Sequence, residues 1–156
     1  MALHFSKEEF SKRKSDILKS IKENNLDALL MFKQESMYWL TGYDTFGYVF
    51  FQTLVMDKDG NIILLTRAPD LRQAKNTSNI NDIRIWVDKD QSNPTDDLKI
   101  ILDELNLKGK KIGIEYEAYG MTGRNALKLN KSLEGYCKVE DQSELITKHR
   151  VIKSQE

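Results

Sequence analysis

The chain has 156 residues, of which 40% are hydrophobic and 31% are charged, with 24 basic and 24 acidic side chains. This length and balance fit one domain with its own core, and the zero net charge gives no positive field for nucleic acid or for a membrane surface. No apolar run approaches the roughly 20 residues that span a bilayer, the N-terminus lacks the apolar core of a signal peptide, and Cys137 is the only cysteine. Together these features predict a protein of the reducing cytoplasm with neither nucleic-acid nor membrane partners.

The first half of the chain predicts two helices, a buried strand and a hairpin. Ser6 followed by Glu8 and Glu9 is a typical helix start, and the helix is expected to end at the asparagines 24–25. The following elements are predicted in this order: a strand at 26–32, a short helix at 34–42 closed by glycine, a strand at 48–57, a turn at 57–60 and a returning strand at 61–66.

The second half alternates strands with amphipathic helices. The predicted elements are a helix at 68–76, a strand at 82–88, a helix at 93–107, a strand at 110–116, a helix at 122–133 and a strand at 136–141. Such alternation indicates a sheet covered by helices on both faces, and the hairpin makes that sheet mixed. The predicted fold class is therefore α/β.

The last residues predict the start of one more helix. Asp141, Gln142 and Ser143 supply polar oxygens of the kind that open helices, and apolar side chains then follow at helical spacing up to Ile152. No glycine closes this segment. We therefore expect residues 143–156 to begin a new structural unit.

The residue chemistry predicts no catalytic machinery. His4 and His149 are the only histidines, and neither a paired histidine motif nor a cysteine pair occurs, so no metal site is expected. The acidic turn at 57–60 lacks the rest of a calcium loop. Cys137 lies in a predicted strand, where a buried thiol is the simpler interpretation. No nucleophile elbow and no phosphate-binding loop is present.

One stretch, residues 37–51, is unusually rich in aromatic side chains. Gly42 and Gly47 allow a tight excursion between the predicted helix and strand, and the residues expected to project from its tip are Tyr43, Asp44, Thr45 and Phe46. Exposed aromatic rings beside a carboxylate are typical of a contact surface for a ligand or another subunit. A loop folded back on its own domain is the alternative, and the sequence leaves both open.

Three segments of the chain together resemble a known family. "SMYWLTGYDTFGYVFF" (36–51) is similar to its short helix and first hairpin strand, "KIGIEYEAYG" (111–120) to its "-I-G-x-E-" strand, and "ELITKHRVIKSQE" (144–156) to its "-R-x-I-K-S-x-E-" junction. The family is the N-terminal domain of the creatinase/prolidase enzymes, which include Xaa-Pro dipeptidases, aminopeptidase P, creatinase and ectoine hydrolase. The resemblance covers essentially the whole chain.

The resemblance implies a three-layer α/β/α sandwich of ribonuclease H-like topology at residues 1–142. It implies that residues 143–156 lead into a pita-bread catalytic domain that lies outside this chain and binds two divalent metal ions, Mn, Co or Zn. The domain seen here would then be non-catalytic, with no catalytic or metal-binding residue of its own.

In such enzymes the N-terminal domain supports the homodimer and shapes the partner subunit's pocket for a small peptide or amide substrate. The candidate substrate-binding residues, by the resemblance, are Tyr43, Asp44, Phe46, Tyr48 and Arg67. No arginine occurs between Arg13 and Arg67, which argues against creatine, and a surface ion pair is the simpler role of Arg67. The alternative function is a stand-alone protein-binding module, as in the histone-chaperone relatives of this fold.

Overall fold

The computed structural model describes residues 3–155, and within them the chain forms six strands and six α-helices. The helices are α1 Lys7–Glu23, α2 Gln34–Thr41, α3 Leu71–Thr77, α4 Pro94–Glu104, α5 Gly123–Leu133 and α6 Leu145–Val151. The strands are β1 Ala28–Met31, β2 Thr53–Asp57, β3 Ile62–Arg67, β4 Asp82–Trp86, β5 Lys111–Ile114 and β6 Lys138–Asp141. One turn of 3-10 helix, Ala68–Asp70, precedes α3.

The six strands form one mixed sheet in the order β4-β3-β2-β1-β5-β6. Strand β2 runs antiparallel to both of its neighbours, β1 and β3, whereas the β3–β4, β1–β5 and β5–β6 pairs are parallel. One core cluster joins the sheet to α4 and α5, and a second joins its other face to α1, α2, α3 and α6. The predicted α/β class, with a mixed sheet between two helical layers, is confirmed.

Several predicted helix ends are set by the side chains that the sequence offered. Ser6 caps α1 by accepting a hydrogen bond from the Glu9 N–H at 3.1 Å, and Thr122 caps α5 in the same way from Asn125. Gly42 closes α2 with φ of 81°, a left-handed conformation that glycine adopts without steric cost.

The predicted strand at 48–57 is wrong over its first five residues. Strand β2 begins only at Thr53, and before it the Phe50 N–H donates to the Gly47 carbonyl oxygen at 2.9 Å, which closes a turn. The aromatic composition favoured a strand, but this segment has no neighbouring strand in the sheet. The predicted helix at 93–107 likewise ends at Glu104, because Asn106 turns the chain with φ of 55°.

The final helix, α6, packs against the folded body of the domain. Leu145 and Ile146 are buried in the cluster that α1 and α2 form on the sheet, and His149 Nε2 lies 2.8 Å from Ser20 Oγ on α1. The segment that leads into α6 is held as well, because Lys33 Nζ donates a hydrogen bond to the Ser143 carbonyl oxygen at 2.8 Å. The position of a domain boundary near residue 143 stays a prediction.

The helices of residues 3–155 are all too short or too polar to cross a lipid bilayer.

Candidate functional site

The aromatic loop, residues 42–52, lies at one end of the sheet. It connects α2 to the first residue of β2. Because β2 runs against its neighbours, its start lies beside the carboxyl ends of β1 and β3. The carboxyl edge of the parallel strands is where open α/β sheets usually place their ligand sites.

Tyr43 anchors this loop in the core and does not project from it. Its ring is fully buried at 0% exposure, and its hydroxyl donates to Gln52 Oε1 at 2.9 Å and lies 3.1 Å from Thr66 Oγ1. Burial raises the pKa of the Tyr43 phenol above its usual value. Thr45 is also buried and accepts a hydrogen bond from the Gly47 N–H at 2.9 Å. The expectation that these two side chains project is therefore wrong.

Asp44 and Phe46 are exposed, as expected, on a backbone held in place by α3. The Asp44 N–H donates to Thr77 Oγ1 at 3.1 Å, and the Phe46 N–H points at Gln73 Oε1, 3.4 Å away. A Cβ atom at Gly47 would collide with the Asp70 carboxylate, so any larger residue there would require that side chain to move. The phenyl ring of Phe46 is 86% exposed although the loop beneath it is fixed at several points.

The aromatic surface is defined here as the exposed residues Phe46, Val49, Phe50 and Tyr119 together with the half-buried Tyr48. Tyr48 meets Tyr119 edge to face, with the ring centroids 5.7 Å apart. Tyr119 comes from the loop after β5 and is 73% exposed. The sequence reasoning missed Tyr119, although it lies in the quoted segment 111–120 and precedes a glycine that packs on the aromatic loop's backbone.

Arg67 borders the aromatic surface but is already engaged. Its guanidinium carbon lies 3.5 Å from the centroid of the Phe50 ring, in cation–π contact. Arg67 Nε is 3.4 Å from Asp70 Oδ2, and an NH group is 4.0 Å from Asp88 Oδ2. The ion-pair interpretation of Arg67 therefore describes its contacts, and a role in binding a substrate carboxylate would require it to leave these partners.

Glu115, which the sequence reasoning did not select, is the most buried carboxylate at this edge of the sheet. Its Oε2 accepts hydrogen bonds from the N–H groups of Phe32 and Lys33 at 3.0 and 2.9 Å, and its Oε1 accepts one from Ser36 Oγ at 2.6 Å. It thereby satisfies backbone donors at the start of α2. The signal was available, because Glu115 is the glutamate of the "KIGIEY" segment.

Burial raises the pKa of Glu115 to about 7, although the three donors oppose this change. Glu115 lies beneath the connection between β1 and α2 and makes no contact with the aromatic surface through these bonds. Its side chain is fully buried. We therefore interpret it as the group that fixes α2, which in turn carries the aromatic loop.

Two surface grooves of about 400 and 470 Å³ flank the aromatic loop. Both are lined by Gln34, Glu35 and Arg150, and the larger one also includes Tyr48 and Tyr119. The grooves place polar and charged groups beside aromatic rings, which suits recognition of a small polar ligand or of another protein surface.

The donor side chains of the described residues do not converge on a metal site. Among residues 3–155, no group of three or more His, Cys, Asp or Glu side chains converges in a way that could hold an ion. The resemblance places the two metal ions in a catalytic domain outside this chain, and that placement stays a prediction.

Comparisons with known proteins agree with this fold. A relative described as an uncharacterized hydrolase/peptidase of Sinorhizobium fredii is 26% identical over 98% of this chain, which corresponds to 41% of the relative's length. The prolidase from Thermococcus sibiricus superimposes with a TM-score of 0.77 at 17% identity, over 94% of this chain and 38% of that one. A proline dipeptidase chain from Streptococcus pneumoniae gives a TM-score of 0.72 at 20% identity, over 90% of this chain and 98% of that one.

The protein-family model described as the creatinase/prolidase N-terminal domain matches residues 13–152 of this chain. Because that match covers most of the 156 residues, the chain belongs to the creatinase/prolidase N-terminal domain family. The chain spans about 40% of the length of the Sinorhizobium relative, whereas it spans nearly all of the Streptococcus pneumoniae chain.

Proposed function

We propose that this chain is the non-catalytic N-terminal domain of a dinuclear-metal hydrolase that cleaves Xaa-Pro peptides or a related small amide, and that it supports a homodimer. The aromatic loop shapes the substrate pocket of the partner subunit. The two divalent metal ions, Mn, Co or Zn, and the residues that bind them belong to a catalytic domain beyond this chain. The family membership and the names of the relatives support the reaction class.

One observation supports the role of the loop above the others. Phe46 is almost fully exposed on a backbone that Tyr43, Thr77 and Gln73 hold in place. A rigid loop that carries an exposed phenyl ring is pre-organised to insert it into a pocket outside its own domain. Asp44 is the polar neighbour that would orient a substrate group, with Tyr48 as a second aromatic wall. Tyr43 and Arg67 would act only indirectly, as supports of the loop.

The test begins with the reading frame after Glu156 and continues with the complete protein. Xaa-Pro dipeptides and small amides are assayed with Mn²⁺, Co²⁺ or Zn²⁺, using the native protein and the variants Asp44→Ala and Phe46→Ala. We expect both substitutions to lower kcat/KM by more than tenfold and to leave the melting temperature within about 2 °C. Ile100→Ala, an exposed apolar residue on α4, is the matched control and should change neither property.

Mixed dimers test whether the loop acts in trans. A Phe46→Ala subunit is combined with a second subunit that has an intact loop but lacks a metal ligand. If the loop serves the partner's active site, the mixture regains activity, because one active site then has both intact parts. A mixture that stays inactive, although mixed dimers form, would place the loop's action within its own subunit.

A stand-alone protein-binding module is the second candidate, as the resemblance to the histone-chaperone relatives of this fold suggests. A stop codon directly after Glu156 would support it and remove the hydrolase proposal. Turnover by the isolated 156-residue chain would refute both the module and the division of labour between two domains. We also assign the protein to the reducing cytoplasm, on the basis of its single cysteine.

A further inference from the structure

We propose that strand β6 is a self-pairing edge, at which two copies of this chain join in antiparallel fashion into one continuous sheet. β6 is the last strand of the sheet and pairs only with β5 on its inner side. The interface lies several strands away from β2 and the aromatic loop. The inference therefore does not depend on the proposed hydrolase function.

The backbone of β6 shows which residues are available for pairing. The N–H groups of Lys138 and Gln142 donate inward to the carbonyl oxygens of Lys110 and Ile114 on the β5 side. Since successive residues of a strand point their N–H and C=O groups in opposite directions, Val139 and Asp141 present theirs outward. These outward groups are the unpaired row that a sheet edge offers to another strand.

Side-chain charge selects one register for a two-fold pair. In one register, Val139 lies opposite Val139 of the other copy, and the outward N–H and C=O groups of the two chains meet. In this register Lys138 of each copy lies directly opposite Glu140 of the other, which gives two opposite-charge pairs. A shift of one residue toward either end brings Glu140 against Glu140 or Lys138 against Lys138. Those like-charged pairs are unfavourable, so only the register centred on Val139 is complementary.

Lys138 is available for an ion pair with Glu140 of the other copy. It forms no ion pair with the part of the chain from residue 3 to 155, whereas Glu140 pairs with Lys111 through one carboxylate oxygen and accepts a hydrogen bond from Gln142 Nε2 at 3.3 Å through the other. The opposite edge of the sheet differs, because Arg84 on β4 is already neutralised by both Asp82 and Glu104. The charged side chain of Arg84 on β4 is thus neutralised within the chain, whereas Lys138 on β6 has no ion pair within residues 3–155.

An apolar strip accompanies the edge on the α5 face of the sheet. Val139 is 44% exposed and Leu127 on α5 is 74% exposed, and both line one shallow groove together with Cys137. The two-fold operation that pairs β6 with its copy also brings the two α5 helices to the same face. It therefore covers apolar side chains that water surrounds in a single copy.

The pairing is expected to be weak, because β6 has only four residues and such an interface falls below about 1,200 Å² in total. Sedimentation of the isolated chain between micromolar and millimolar concentration should show a reversible monomer–dimer equilibrium. A chain that stays monomeric at millimolar concentration would overturn the proposal.

Charge exchange at the edge tests the register. Lys138→Glu and Glu140→Lys each place two like-charged pairs across the two-fold axis, so each variant alone should dimerise at least roughly tenfold more weakly than the native chain. Mixed in equal amounts, the two variants make only opposite-charge pairs and should associate again. Single variants that dimerise like the native chain, or a mixture no better than its components, would contradict this register.

Amide hydrogen exchange gives a readout that needs no variant. The N–H groups of Val139 and Asp141 should be exchange-protected in a concentrated sample and should exchange freely on dilution, while that of Lys138, which bonds within the chain, stays protected in both. Dimerisation without this change would place the interface elsewhere. The same measurement detects a variant that has lost its fold, since Lys138 protection then disappears.

Discussion

Replacement of Glu115 by glutamine should remove a specific pH dependence from the stability of the fold. Each unit of pKa corresponds to ~1.4 kcal/mol. A rise from the ordinary value of 4.5 to about 7 in the folded state thus corresponds to about 3 kcal/mol. Between these two pH values the folded chain holds a proton on Glu115 that the unfolded chain has lost. The free energy of unfolding contributed by this group therefore falls as the pH rises through the window.

Glutamine keeps the shape of the side chain and one carbonyl acceptor for the Phe32 and Lys33 N–H groups, but does not titrate. Urea unfolding of both proteins, followed by tryptophan fluorescence, is measured from pH 4.5 to pH 8. The native chain should lose about 3 kcal/mol relative to Glu115→Gln across this range. Glu117→Gln, at an exposed position two residues away, is the matched control and should follow the native profile.

The outcome that refutes this reasoning is a native chain that gains stability relative to Glu115→Gln as the pH rises. The three hydrogen bonds and the start of α2 would then outweigh burial, and the pKa of Glu115 would lie below 4.5 in the folded state. Parallel profiles of the two proteins would mean that folding leaves the pKa unchanged. Neither result would bear on whether the hydrogen bonds to Glu115 stabilise the fold. Glu115→Ala tests that role separately and should lower the free energy of unfolding by several kcal/mol.

Four further substitutions separate core from surface in the same urea assay. Tyr43→Phe should cost about 1 kcal/mol, because its buried hydroxyl bonds Gln52; an unchanged midpoint would show that the hydroxyl is dispensable. Phe46→Ala should change the free energy of unfolding by less than about 0.5 kcal/mol, because its ring is exposed. Phe51→Ala, in the core, should lower it by about 3–5 kcal/mol. Equal effects of the two substitutions would contradict the exposure of Phe46 and the burial of Phe51. Asp57→Ala should cost about 2 kcal/mol, since its carboxylate accepts three hydrogen bonds in the hairpin turn, and a neutral result would exclude that role.

Local sequence signals were sufficient for most of the helices and for the hairpin. Ser6 and Thr122 are capping residues whose hydrogen bonds reach only three residues ahead, so their effect is written into the sequence itself. The turn at 57–60 is likewise set by hydrogen bonds between residues a few positions apart. Periodicity then placed the apolar faces, and the alternation of strands and helices indicated the α/β class.

The end of the aromatic loop could not be read in this way. Tyr48–Gln52 has the composition of a strand, but it lacks a neighbouring strand and instead packs on the loop after β5, which is about 70 residues away in the chain. Tyr43 looked like a surface residue of a glycine-flanked loop, and only its hydrogen bonds to Gln52 and Thr66 show it to be the buried anchor.

By itself, therefore, the sequence determined the helices, the hairpin, the mixed α/β class and the absence of a recognisable catalytic motif, since all of these depend on neighbours a few residues apart. The tertiary structure alone decided which aromatic rings face water, which carboxylate fixes α2 and which strand leaves its backbone unpaired. Those properties depend on contacts such as Glu115 with Phe32, 83 residues apart, and burial is set by what the fold brings against each side chain.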